Sequence, residues 1–236
     1  MDWPHESGGA GEASGAVRPR EGGWSDPTQA EEYLDRLDRL APRAAGEAVL
    51  LDTLPAAPER ALDLGCGDGR LAALVLDGRT SVSEVIAVDI SPPMLARARE
   101  RFWGDPRVQV FEWDLEEPLD ELGEFDLVIS GFAIHHLEHA RKQSLFKEVA
   151  HQLRPGGLFA NLEVIQSATP ELHATFRRLI GREMDDPEDR LAPVEAQLTW
   201  MREAGLQHVD CLWRWRGFAL LVGTAGPPSP SVVTRT

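Results

Sequence analysis

The chain has 236 residues, 42% hydrophobic and 27% charged, with 21 Gly, 17 Pro and 2 Cys. That length suits one globular domain with appendages, and its longest apolar stretches, such as ISGFAI at 129–134 and FALLVG at 218–223, stop far short of the roughly 20 residues that cross a bilayer. A net charge of −15, from 39 acidic against 24 basic side chains, repels nucleic-acid phosphates and anionic membranes, and two cysteines are too few for a four-thiolate zinc site.

In chain order, residues 1–23 are rich in Gly, Ser, Glu and Ala, too poor in apolar side chains to offset ordering, and are expected to form a disordered tail. The start MDWPHESGGA has no basic block followed by an apolar one, so neither a secretory nor a transit segment is expected and a cytoplasmic location is. With that location Cys66 and Cys211 are expected as free thiols. Between 24 and 55, Leu34, Leu37 and Leu40 recur at helical spacing, which predicts an amphipathic helix packed on the domain.

RALDLG at 60–65 reads as a buried strand ending in glycine, followed by a helix over 68–77. EVIAVDI at 84–90 is a β-branched strand, after which Ser91 and Pro92 open a helix. RVQVFEWD at 107–114 and EFDLVIS at 124–130 are the third and fourth strands. A helix over about 140–153 should stop at Arg154-Pro155-Gly156-Gly157, where Pro removes a donor and Gly accepts a left-handed cap. GLFANLEV at 157–164 is the fifth strand; helices at about 170–182 and 193–204 precede an antiparallel pair, LQHVDCLW at 206–213 and GFALLVG at 217–223. The Pro/Ser-rich stretch 225–236 reads as a second loose end, which leaves 24–224 as the working domain. Alternating strands and helices predict an α/β domain with a mostly parallel sheet covered on both faces, and ligands beyond the carboxyl ends of its strands.

The chemistry gathers at those ends. In ALDLGCGDGR, 61–70, Gly65, Gly67 and Gly69 allow backbone to approach a ligand closely. Arg70 stands where the dinucleotide fingerprint has its last glycine. Asp63, inside the strand, disfavours a diphosphate and suits an ammonium group. Asp89 ends the second strand 24 residues after Gly65, a spacing at which a carboxylate accepts both ribose hydroxyls. Asp114 ends the third, positioned to accept from an adenine amino group while Trp113 and Leu115 cover the ring. Three carboxylates on successive strand ends suit a cationic nucleoside without phosphates.

LDLGCGDG, VDIS at 88–91, WDLEEPL at 113–119, FDLVISGFAIHHL at 125–137 and LRPGGLF at 153–159 resemble, in order and spacing, the class I S-adenosylmethionine-dependent methyltransferases. The resemblance implies a Rossmann-like sheet of seven strands ending in a reversed hairpin, with S-adenosylmethionine (SAM) as cofactor. It implies the methionine end of SAM near Asp63, Gly65 and Gly67, the ribose on Asp89, and adenine near Ile90, Asp114 and Leu115. Ser130 and Phe132 would line the channel beside the sulfonium, and Tyr33 or Arg43, from the helix before the first strand, would reach the cofactor's amino-acid end. His135 and His136 follow the fourth strand where the acceptor should lie. One of them can serve as a base near neutrality, and packing beside aromatic side chains is the competing reading. HHLEH at 135–139 lacks the H-E-x-x-H pattern, so no metal is expected.

The expected function is methyl transfer from SAM to a small-molecule acceptor, with oxygen preferred over nitrogen or carbon and S-adenosylhomocysteine released. The alternatives are a SAM-binding regulator without methyl transfer and a tRNA-modifying enzyme, which the acidic charge disfavours.

Overall fold

A computed structural model describes residues 41–119, 122–182 and 184–226. The tail expected at 1–23, most of the one expected from 225, and Tyr33 lie outside them. The described chain runs α1 (Ala41–Thr53), β1 (Arg60–Leu64), α2 (Arg70–Gly78), β2 (Glu84–Asp89), α3 (Pro92–Arg101), β3 (Val108–Glu112), β4 (Phe125–Gly131), a 3-10 turn (Ile134–His136), α4 (His139–Gln152), β5 (Leu153–Val164), α5 (Pro170–Leu179), α6 (Val194–Glu203), β6 (Gln207–Trp215) and β7 (Phe218–Thr224).

The strands form one seven-stranded sheet in the order β3-β2-β1-β4-β5-β7-β6. The first five run parallel. β7 enters antiparallel to β5, and β6 pairs antiparallel with β7. The order reverses between β1 and β4, so the crevice for a ligand opens beyond the ends of β1, β2 and β4.

Side-chain alternation divides the strands between two cores. Leu62, Leu64, Val88, Val128 and Phe159 face Leu145, Phe146 and Val149 of α4. Ala61, Val85, Leu127, Ala160 and Leu162 face Leu50 of α1 and Val75 of α2. Gly46 lets α1 settle closely on the sheet, because a Cβ there would stand 2.7 Å from Leu162 Cδ1 and 2.9 Å from Trp213 Cζ3. No helix among the described residues is long and apolar enough to cross a membrane.

The fifth strand begins earlier than Gly157, at Leu153, which pairs with Phe125. A register shift follows before Leu158 pairs with Leu127. The Pro-Gly-Gly segment therefore forms an irregularity within a strand, and Gly156 takes a φ of 79° there.

Candidate active site

Gly65 (φ 66°), Gly67 (φ 54°) and Gly69 (φ 81°) carry β1 into α2 through left-handed conformations that L side chains rarely adopt. Two of them also answer to their neighbours: a Cβ on Gly65 would lie 2.2 Å from Ala133 Cβ, and one on Gly69 would lie 2.4 Å from Phe102 Cε2. Gly67 differs. No protein atom lies within 4 Å of where its Cβ would be, so its left-handed backbone borders open space.

Asp89 ties this turn to β2. Its Oδ2 accepts from the Gly67 backbone N–H at 2.8 Å and its Oδ1 from the Ser91 N–H at 2.8 Å. Each oxygen keeps a further lone pair for a ligand hydroxyl. Burial raises the Asp89 pKa, against the three backbone N–H groups that lower it.

Asp63 is 1% exposed. Its Oδ2 accepts from the Ala72 N–H at 3.1 Å, while Oδ1 is buried with no hydrogen bond. Burial, reinforced by the charges of Asp89 and Asp68, raises its pKa from 3.8 to about 7. A buried carboxylate with one unused oxygen calls for a cation or a donor.

A cavity of about 460 Å³ opens on these groups. Asp63, Gly65, Gly67, Asp89, Ile90, Asp114 and Leu115 all line it, so the structure brings together seven of the eight residues assigned to the cofactor from sequence. Ser130 stands apart: it is fully buried, lies outside the cavity wall, and donates its hydroxyl to the Leu64 carbonyl at 2.8 Å. Phe132, with a left-handed φ of 56°, does reach the wall. Cys66, between the glycines, is buried and borders the cavity, and desolvation raises its thiol pKa well above 9.0, which disfavours the thiolate there. Cys211 is also free.

Arg43 of α1 completes the wall. Its Nε donates to Glu47 Oε1 at 2.8 Å, its guanidinium lies 5.7 Å from the Phe132 ring centre, and its Nη1 is buried without a hydrogen bond. Arg70 Nε shares the same Glu47 oxygen at 2.8 Å. Arg43 and Asp63 both line the cavity, and the unused N–H of the one and the unused oxygen of the other are the kinds of group that the carboxylate and ammonium of an amino acid engage. With Asp89 for a ribose and Asp114 and Leu115 for a base, the donors and acceptors match SAM.

The histidines divide. His136 lines the cavity, whereas His135 lies behind it, 4% exposed. Burial, reinforced by the neighbouring His135, lowers the His136 pKa from 6.5 to about 2. A base active near neutrality does not survive that burial at His136, since its protonated form is too strong an acid to hold a proton there. The two rings lie 3.9 Å apart between centroids, and His135 Nδ1 meets Glu163 Oε1 at 2.6 Å. Lys142, buried with its pKa lowered to about 8 by desolvation, donates Nζ to the carbonyls of His135, Leu137 and Arg190. It thereby clamps the 186–190 loop onto the histidine turn. Glu163, Lys142 and Asp189 escaped the sequence reading. A lone acid inside the apolar run LFANLEV was a usable signal for Glu163; the loop carrying Asp189 offers none.

Residues 61–157 match the family model described as a methyltransferase domain. The chain is 26% identical over 224 residues to a carboxy-S-adenosyl-L-methionine synthase of Colwellia psychrerythraea, covering 84% of this chain and 90% of that protein. It is 34% identical over 120 residues to a malonyl-[acyl-carrier protein] O-methyltransferase of Enterobacter lignolyticus, covering 51% of this chain and 45% of that one. The fold superposes on an O-methyltransferase family protein of Burkholderia thailandensis with a TM-score of 0.69 at 22% identity, over 86% of this chain and 61% of that one. Residues 61–157 thus carry a match to the methyltransferase-domain model, and the motifs and strand order of the chain resemble those of the class I S-adenosylmethionine-dependent methyltransferases.

Proposed function

We propose that this chain transfers the methyl group of SAM to a hydroxyl oxygen of a small molecule in the cytoplasm. The observation that carries the reading is the pair of unused buried groups, Asp63 Oδ1 and Arg43 Nη1, on a wall they share with the open backbone of Gly67. Asp63 and Arg43 would hold the amino-acid end, Asp89 the ribose hydroxyls, and Ile90, Asp114 and Leu115 the adenine. Bound there, SAM supplies an electrophilic methyl group on a sulfonium, and its transfer to a hydroxyl leaves S-adenosylhomocysteine, the methyl ether and a proton.

The chain's own contribution is positioning and exclusion of water, which suffice for much of the acceleration of such a displacement. His136, Glu138 and Arg190 supply the polar part of the acceptor wall. His136 meets the acceptor as a neutral ring and orients it, and His135 and Glu163 hold that ring's neighbourhood rigid. Oxygen is favoured because an O-methyltransferase stands among the relatives. The net charge of −15 favours a small molecule over tRNA.

A second reading comes from the similarity, over most of both chains, to carboxy-S-adenosyl-L-methionine synthase: the product would be a carboxylated SAM. Incubation with methyl-labelled SAM and either a panel of hydroxylated metabolites or a panel of carboxylic acids able to release a carboxyl group to the S-methyl carbon, which loses a proton, followed by mass spectrometry, separates the possibilities. S-adenosylhomocysteine with a labelled acceptor supports O-methylation; a heavier, carboxylated SAM supports the second reading; binding without turnover leaves a SAM-responsive regulator.

A further inference from the structure

Behind the acceptor wall, His135, His136 and Asp189 each place one potential ligand atom within 4.8 Å of the other two. Asp189 Oδ1 lies 3.4 Å from His135 Nε2 and 3.7 Å from His136 Nδ1. Ligand atoms at about 2.0–2.1 Å from a tetrahedral zinc ion are about 3.4 Å apart, so the atoms already stand near the edges of a coordination polyhedron.

Two further observations favour an ion over a chance cluster. Asp189 Oδ1 is buried and makes no hydrogen bond. The second nitrogen of His135, Nδ1, meets the fully buried Glu163 carboxylate at 2.6 Å, the outer arrangement that directs a histidine's other lone pair at a metal. The surrounding charges are mixed. Arg182 Nη1 lies 3.5 Å from Asp189 Oδ2 and the Lys142 ammonium sits close by, while Glu163 and Asp189 supply two negative charges.

We propose that His135, His136 and Asp189 bind a first-row divalent transition-metal ion of the zinc type, oriented by Glu163, at the edge of the cofactor cavity. Two imidazole nitrogens and one carboxylate oxygen are borderline donors that select such ions over Mg²⁺ or Ca²⁺, and three protein ligands leave a position open. His135 and His136 adjoin in sequence and Asp189 comes from a distant loop, held in place by Lys142 and by the Arg190 N–H donated to the His135 carbonyl at 2.9 Å. That separation is why the spacing of HHLEH alone gave no metal. The ion's use rests on the methyl-transfer reading, since an acceptor hydroxyl at the open position would be acidified where His136 itself lacks base strength. Binding of the ion does not depend on that reading.

The test uses untagged full-length protein, stripped with a chelator and desalted, with no SAM or acceptor present. Zn²⁺ calorimetry should give close to one equivalent per chain, and Co²⁺ should give visible d–d bands of a nitrogen–oxygen site. Asp189→Ala should abolish this binding, and Glu163→Gln should weaken it about 10–100-fold with the far-ultraviolet dichroism unchanged. Absence of stoichiometric uptake, displacement by excess Mg²⁺, or uptake unchanged in both variants overturns the proposal. Should both variants fail to fold, the Co²⁺ spectrum of the wild type still decides: thiolate charge-transfer bands would move the ion to Cys66 or Cys211 and overturn it. SAM binding measured on the same sample separates failure of the metal site from failure of the cofactor site.

Discussion

Asp89 Oδ2 accepts the Gly67 backbone N–H at 2.8 Å, so the group assigned to the ribose also fixes the turn assigned to the methionine end. Replacing Asp89 removes both functions at once. Asp89→Ala is expected to weaken SAM about 10–100-fold, the equivalent of losing charged hydrogen bonds of about 1.5–3 kcal/mol. It should also lower the melting temperature, because the Gly67 and Ser91 N–H groups lose their acceptor. Asp89→Asn retains an acceptor oxygen and should fall between wild type and alanine in both calorimetry and thermal melts.

The glycines of the turn separate fold from binding. Gly65→Ala pushes a methyl group to 2.2 Å from Ala133 Cβ in a left-handed backbone, which should cost about 1–3 kcal/mol in overpacking alone. Gly67→Ala meets no protein atom within 4 Å and should cost only the left-handed backbone penalty of about 1–2 kcal/mol. Its methyl group enters the space proposed for SAM. Denaturant titration should therefore rank Gly65→Ala as the more destabilised, and calorimetry should show that Gly67→Ala still loses most SAM affinity. Equal SAM affinity in wild type and Gly67→Ala would contradict the placement.

SAM affinity should depend on pH through Asp63. Its folded-state pKa, raised to about 7, means that the folded apo-protein holds this proton more tightly than the unfolded chain. This contribution to stability is fully present below the ordinary carboxylate pKa near 4 and is lost as pH rises through about 7. An ammonium ligand favours the ionised form, so affinity should fall about tenfold per pH unit below 7 and decline again above about 8, where an α-amino group itself loses its proton. Asp63→Asn should abolish the acid-side slope, which calorimetry across pH 5.5–8.5 would read.

Arg43 tests the other end of the amino-acid group. Arg43→Ala should weaken SAM by about 1.5–3 kcal/mol, the worth of a hydrogen bond to a charged group, and leave 5′-methylthioadenosine, which lacks the amino-acid carboxylate, nearly unaffected. Equal losses for both ligands would place Arg43 in the fold and not at the carboxylate.

What the sequence makes legible follows physical reach. β1, β2 and β4 are legible because buried parallel strands are short apolar runs, and Asp63 in β1, Asp89 at the end of β2 and Asp114 just past β3 stand out as charges. Arg43 is less so, since its role depends on α1 closing over the sheet where Gly46 admits Leu162 and Trp213. The contact of His135 with Glu163 spans 28 residues, and Asp189 reaches the same cluster from a loop without periodic pattern. No local signal reports such meetings, and the burial that strips His136 of base strength is likewise a property of the assembled walls. The strand start at Leu153 was hidden because Pro155 and the following glycines look like a stop, while the backbone absorbs them by shifting register.

The most direct measurement is calorimetric titration of S-adenosylhomocysteine into full-length wild-type protein and Asp89→Ala. Saturable binding near one ligand per chain in the wild type, weakened in the variant, is the expected result. No saturable heat in the wild type at millimolar ligand would contradict the account.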